Sequence, residues 1–136
     1  MPGFIGFTVA NELYNFLYRG TAITIGSDLY LRLLVEPSSR SGGGTETNYG
    51  GYARYTITRD GSVFAVTANG RIANSALIEL ATPSTPGNGN LVFFDIVDTS
   101  SGAFTKIYNG GPILPARVVQ VGKPPRFKIG SLVCTL

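Results

Sequence analysis

The chain has 136 residues, of which 43% are hydrophobic and 14% charged, with a formal net charge of +3. A soluble domain of ordinary composition is about 25% charged, so something other than charge must make this surface compatible with its surroundings. No histidine is present, which excludes Ser-His-Asp and Cys-His nucleophile systems, His-ligated zinc and a histidine pH switch.

The length suits one domain over residues 1–136, able to bury roughly two-thirds of the surface of its unfolded form. Eighteen glycines and eight prolines punctuate β-branched and aromatic runs, a pattern of short strands and turns rather than of disorder. Met1 to Ala10 lacks the basic residue and apolar core of a secretory signal, and no run approaches the roughly 20 apolar residues of a membrane span. Synthesis in the cytosol and no membrane partner are expected. A single cysteine, Cys134, forms no intrachain disulfide and reads as a small buried hydrophobe.

In chain order, the first element is a short amphipathic helix over residues 8–20. Leu13, Phe16 and Leu17 share a face at i, i+3 and i+4. Thr8 or Asn11 is placed to cap its start, and Gly20 follows Arg19 as a stop. About three turns are marginal alone in water, so the stripe must lie against the sheet or a neighbouring subunit. Tyr14 and Tyr18 widen it toward the second option.

Leu29, Leu31, Leu33 and Val35 alternate with Tyr30, Arg32 and Leu34 as a half-buried strand ending at Glu36-Pro37. Residues 37–51, rich in Ser, Gly and Thr, are expected to be a flexible surface loop. Asp60-Gly61 suits a two-residue hairpin turn, which would set Ile57 opposite Phe64 and Tyr55 opposite Val66. Around Asn69-Gly70, a two-residue loop would pair Val66 with Ala73, and a bulge, slightly favoured, would pair Phe64 with Ala76. After a loop over 81–90, the run Leu91 to Val97 reads as a central strand. Asp98 to Gly102 turns it into Ala103 to Tyr108, Asn109-Gly110-Gly111-Pro112 breaks the chain again, and short strands near 117–121, 126–129 and 131–136 complete it. The sum is a mainly β fold, an antiparallel, jelly-roll-like β-sandwich with one short N-terminal helix.

Catalytic constellations are missing. Asp95 and Asp98, the closest carboxylates, are set to point to different faces, and Asp98 sits where turns recruit aspartate to bond the backbone. Gly42-Gly43-Gly44-Thr45 lacks the lysine of a phosphate loop, and neither G-x-S-x-G nor S-x-x-K occurs. No enzyme activity, metal or cofactor is expected. Tyr49, Tyr52 and Tyr55 offer stacking faces for a carbohydrate, although the register turns Tyr55 toward the core.

From residue 99 onward there are five basic residues and no acidic one, against six basic and eight acidic in residues 1–98. Arg117, Lys123, Arg126 and Lys128 fit either solvated strand faces or contact with an acidic protein surface. Phe127 as the sole aromatic among them argues against single-stranded nucleic acid. A lightly charged surface rich in Gly, Ser, Thr and Tyr is most simply explained if much of it is covered in an oligomer. Leu13, Tyr14, Phe16, Leu17 and Tyr18 are the candidate subunit interface.

Asn11-Glu12-Leu13 through Arg19-Gly20-Thr21-Ala22, Leu29-Tyr30-Leu31, Gly51-Tyr52-Ala53-Arg54, Phe93-Phe94-Asp95-Ile96 leading to Ser101-Gly102, and the end from Pro115 to Val121 with Gly122 and Phe127 together carry a resemblance. Over nearly the whole chain they resemble small bacteriophage virion proteins of the tail-fibre-like or capsid decoration (cement) type. Residues 59–80 are more regular than that family's segment, and the loop at 37–50 is this chain's own. The resemblance implies a non-enzymatic virion component, first of all a cement protein, commonly a homotrimer, bridging subunits of the major capsid protein. On that reading the helix stripe meets neighbouring copies and the basic residues meet the capsid. The alternative is a tail- or fibre-associated protein or a host-glycan adhesin.

Overall fold

The computed structural model describes residues 3–135. Eleven strands, all paired antiparallel, and one α-helix follow in the order β1 (Phe4–Ile5), α1 (Phe7–Arg19), β2 (Asp28–Ser39), β3 (Gly42–Glu46), β4 (Tyr55–Thr58), β5 (Phe64–Val66), β6 (Arg71–Asn74), β7 (Ile78–Glu79), β8 (Leu91–Val97), β9 (Ile107–Arg117), β10 (Arg126–Phe127) and β11 (Val133–Thr135). The main sheet runs β1-β9-β8-β2, and both β4 and β3 pair with the far edge of β2, β4 along its first residues and β3 along its last. Two small sheets, β11-β6-β5 and β10-β7, complete the strands. The mainly β, antiparallel reading with an N-terminal helix therefore stands.

The principal core lies between these layers. Leu31, Leu33, Phe94, Ile96 and Tyr108 from the main sheet pack with Ile78, Phe127 and Cys134 from the small ones. Burial pushes the Cys134 thiol up to about 12, as suits a packing residue rather than a nucleophile. A second cluster, Phe4, Leu34, Phe93, Val97 and Ile107, occupies the reverse face of the main sheet. Strand β8 is thus buried on both sides, the reason its sequence is a nearly unbroken apolar run.

That reverse face also holds the most deeply buried ion pair among the described residues. Arg32 and Asp95 are register partners across β2 and β8. Arg32 donates Nε to Asp95 Oδ1 at 2.8 Å and Nη2 to Oδ2 at 2.7 Å. Ser38 Oγ donates to Oδ2 at 2.7 Å, and the guanidinium lies 4.4 Å from the Phe104 ring centroid. Asp95 is 0% exposed. The strand expected to be half-buried is instead buried on both faces at Leu31 to Leu34, with the polar member of its alternation neutralised rather than solvated.

Several expected boundaries are corrected. Strand β2 does not end at Glu36-Pro37; a register shift between Leu34 and Glu36 carries it on to Ser39. Residues 37–51 therefore include the end of β2 and the whole of β3, with Ser38, Thr47 and Tyr49 buried. Gly42, Gly43 and Gly44 all have positive φ, a strand conformation open to glycine and costly for other residues. Asp60-Gly61 does turn the chain, with Asp60 Oδ1 accepting the Ser62 amide at 2.9 Å, but it is a corner between sheets rather than a hairpin. Its two sides pair elsewhere, Ile57 with Leu29 and Phe64 with Asn74. Around Asn69 neither expected register forms; Val66 faces Ile72, and the Thr67 amide donates to Arg71 O at 2.8 Å.

Gly110-Gly111-Pro112 does not break the chain but runs through the middle of β9. A Cβ on Gly110 would stand 2.6 Å from the Phe4 ring, and one on Gly111 would stand 2.8 Å from Val133 O. The glycines are there for close approach. The strand expected near 117–121 is reduced to the end of β9 and an isolated Gln120–Lys123 bridge, 126–129 to β10, and 131–136 to β11, with Leu136 outside the described residues.

Removing one member of a buried ion pair leaves the other charge uncompensated, typically at about 3–5 kcal/mol. Arg32→Met and Asp95→Leu should each lower unfolding free energy by about that amount in urea titrations, and the double variant should recover most of the loss. A double variant as damaged as the sum of the singles would contradict the pairing.

Candidate functional site: an uncovered helix face

Helix α1 starts at Gly6, not at a side-chain cap from Thr8 or Asn11, and stops at Gly20 in the left-handed conformation with its amide on Phe16 O. Gly6 is required by packing, since a Cβ there would overlap Ile107 O. The helix touches the body through few groups. Val9 reaches the principal core, Glu12 Oε1 meets Lys106 Nζ at 2.7 Å, and the Arg40 guanidinium lies 4.3 Å from the Phe7 ring centroid.

No residue of α1 is buried. Leu13, Tyr14, Phe16, Leu17 and Tyr18 are all exposed around the helix, with Phe16 54%, Leu17 66% and Tyr18 81% accessible. Phe7, also exposed, extends the patch; its i, i+7 spacing to Tyr14 is the sequence signal that would have included it. The Tyr14 and Tyr18 rings stand 6.3 Å apart. Beside the helix runs a groove of about 430 Å³ bounded by Phe4, Ile5, Ala10, Leu13, Tyr14 and Leu17. Leu13 also borders a second hollow on the other flank, where Val66, Ile72 and Tyr108 form the wall. At ~150–250 Å² per aromatic side chain, the exposed parts of these six residues amount to on the order of 600–700 Å². The largest apolar patch of an ordinary monomer is about 300–600 Å².

The basic residues are less uniform than their spacing suggests. Arg126 Nε is 2.7 Å from Glu79 Oε2, and Arg117 lies over the Phe127 ring while donating to Arg126 O at 2.9 Å. Lys123 and Lys128 are exposed and make no ion pair among the described residues.

The tyrosines do not make an open stacking platform. Tyr49 is 2% exposed and donates its hydroxyl to Ala81 O. Tyr52 is half-buried, donating to Glu46 Oε2 at 2.6 Å and accepting the Leu33 amide; burial, with the adjacent Glu46 carboxylate, pushes its phenol far up. Tyr55 packs at the margin of the principal core. The polar hollow beside them is held by Arg54, whose guanidinium is spent on Glu46, Thr99 and Gly102.

The carboxylates are also committed to structure. Asp95 faces Arg32, whereas Asp98 accepts the Thr105 and Lys106 amides at 3.0 and 3.2 Å and the Thr105 hydroxyl. Among the described residues no group of three or more His, Cys, Asp or Glu side chains is arranged to hold a metal, and no helix is long and apolar enough to cross a membrane.

The described residues thus form a β-rich body carrying an exposed apolar helix. The sequence matches the family described as Podophage GP4 fiber I protein gp80 over residues 5–135, and the chain belongs to that family. It is thus a bacteriophage virion protein of fibre type, within a structural family. Among curated proteins none matches the sequence. The match supports the tail-fibre side of the resemblance and gives no support to its cement side.

The Asp98 turn positions Lys106, and with it the contact to Glu12. Burial raises the Asp98 carboxyl, but its bonds from Thr105 and Lys106 outweigh that and leave it below the ordinary carboxylate range. A carboxyl lower in the folded than in the unfolded state stabilises fully above the unfolded value, about pH 4, and loses that effect as pH falls through the folded value. Asp98→Asn should therefore lower the thermal midpoint at pH 7, with the deficit shrinking as pH falls below about 4. A deficit that stays constant as the pH is lowered would contradict this role.

Proposed function

We propose that this chain is a non-catalytic structural component of a phage fibre, and that it works by burying the outward face of α1 against another virion chain. One observation carries the reading: a helix with no buried residue bears six large exposed apolar side chains. Leaving such a surface in water is unfavourable by about 25 cal/mol per Å² of apolar area. Depletion of charge with enrichment in aromatics is the composition of interface cores.

The basic residues supply a second, weaker contact. Lys123, Lys128 and the rim of Arg117 and Arg126 suit an acidic patch on a neighbouring virion protein, attracting it at long range and fixing its approach. The family match favours a fibre location; capsid decoration rests on the sequence resemblance alone, and a glycan site has no open aromatic platform to support it.

Antibody against the chain, applied to purified virions in electron microscopy, should label the fibres or their attachment points. Label confined to the head surface would overturn the proposal. Charge reversal at Lys123, Arg126 and Lys128 should reduce incorporation into particles, most strongly at low salt and less so as salt is raised; unchanged occupancy at every salt concentration would reject the electrostatic contact.

A further inference from the structure

We infer that Asn69 is a site of spontaneous deamidation, a covalent change that needs only water and that the fold permits at this Asn-Gly pair while blocking it at two others. The inference concerns the chemistry of a surface turn and stands apart from the role proposed above.

Three asparagines of the chain are followed by glycine: Asn69-Gly70, Asn88-Gly89 and Asn109-Gly110. Such a pair reacts within itself because glycine has no side chain to hinder its amide nitrogen. The Gly70 nitrogen, giving up its proton, attacks Asn69 Cγ. The bond from Cγ to the side-chain nitrogen breaks, ammonia leaves with that proton, and a cyclic imide remains. Water then opens the ring. Cleavage between Gly70 N and Cγ gives aspartate, whereas cleavage between Gly70 N and the main-chain carbonyl carbon of Asn69 gives isoaspartate, whose main chain is longer by the side-chain methylene. Ring closure swings the backbone and the carboxamide toward each other, so neither can be held elsewhere.

Two of the pairs are held. Asn109 lies in β9 with Ile96 of β8 on one side and Ile5 of β1 on the other, and Gly110 is buried between Asp95 and Phe4. Asn88 is exposed, but its carboxamide is clamped: Oδ1 accepts the Asn48 amide at 3.2 Å and Nδ2 donates to Glu46 O at 3.1 Å. Gly87 before it packs so closely that a Cβ there would stand 2.6 Å from Tyr49 N.

Asn69 has neither restraint. It is exposed together with Gly70 at the tip between β5 and β6, and its side chain makes no hydrogen bond among the described residues. With φ at 65° it is the one non-glycine residue in the left-handed region among them. The tip is a single 3-10 turn over Ala68–Gly70, a geometry with poorer hydrogen bonds than an α-helix. Strand β5, three residues long with Val66 80% exposed, is the edge of its sheet. Tips of this kind open at far lower free energy than the middle of a sheet. The product places a carboxylate beside the exposed Arg71, at the rim of the hollow that Gly70 and Arg71 share with Leu13 of α1.

The test ages the purified, folded full chain in mildly alkaline buffer and follows its tryptic peptides by mass, with fragmentation to assign the position. Cleavage after Arg59, Arg71, Lys106 and Arg117 puts the three pairs in separate peptides. The expected result is a mass gain corresponding to replacement of an amino group by a hydroxyl at Asn69, seen as two products of equal mass that chromatography separates. Its rate should be at least about tenfold that at Asn88 or Asn109. In the chain unfolded by urea, all three should react at similar rates, because all three precede glycine. Asn69→Gly, which suits the positive φ, should keep the far-ultraviolet circular dichroism of the folded chain and remove the products from the peptide 60–71.

An Asn69 that stays intact in the folded chain while it reacts in urea would overturn the inference. So would reaction at Asn88 or Asn109 that keeps pace with Asn69 in the folded chain.

Discussion

The ion pair between Arg32 and Asp95 is the constraint around which the main sheet is organised. It joins the two central strands, β2 and β8, at a point where both are buried. Two charges taken out of water are tolerated only with close geometry and further hydrogen bonds. Here Ser38 comes from the end of β2, Gly43 O from β3, and the Phe104 ring closes over the guanidinium. A slip of two residues between β2 and β8 would keep the apolar faces in place but leave both charges buried and unpaired. The pair therefore selects the register that apolar packing alone leaves open.

From that register the rest of the architecture follows. With Asp95 on the reverse face, Phe94 and Ile96 point into the principal core while Phe93 and Val97 join the second cluster. The second cluster brings the Phe4 ring to stack on Phe93 at 6.0 Å between centroids, over the place a Cβ of Gly110 would fill. β1 is thereby held against β9, and Gly6 lies so close to Ile107 O that the chain turns directly into α1. The helix leaves the sheet edge with Val9 and Glu12 contacting the body and with none of its residues buried. The exposed patch is a consequence of how the sheet edge launches the helix, not of a poorly made core.

Most of the carboxylates are committed to contacts within the fold. Of the eight acidic residues, Asp95, Glu46, Glu12 and Glu79 are ion-paired and Asp98 holds a turn. Few carboxylates are left free, and the exposed apolar side chains of α1 are the most distinctive feature of the surface.

The amino-acid sequence alone determined the mainly β class, the helix with its glycine stop, the buried central strand from Leu91 to Val97, and the absence of histidine-based chemistry. These are local or compositional properties: periodicity, turn residues and residue types are legible without knowing what packs where. It also picked out the helix stripe from Leu13 to Tyr18, because amphipathicity is visible in spacing. Strand partners were not legible. Asp60-Gly61 has the chemistry of a tight turn whether its flanks pair with each other or with two different sheets, and only the competing pairing of Ile57 with Leu29 decides between them. Gly42 to Gly44 and Gly110-Gly111 read as breaks because glycine is a poor strand former on its own account. In the folded chain, close approach of Phe4 and Val133 O, and the positive φ of β3, turn the same residues into requirements. Which face of α1 meets water, and whether Arg32 is solvated or buried on Asp95, were likewise decided by tertiary structure, since each depends on atoms more than 60 residues away in sequence or across a sheet edge that no local pattern encodes.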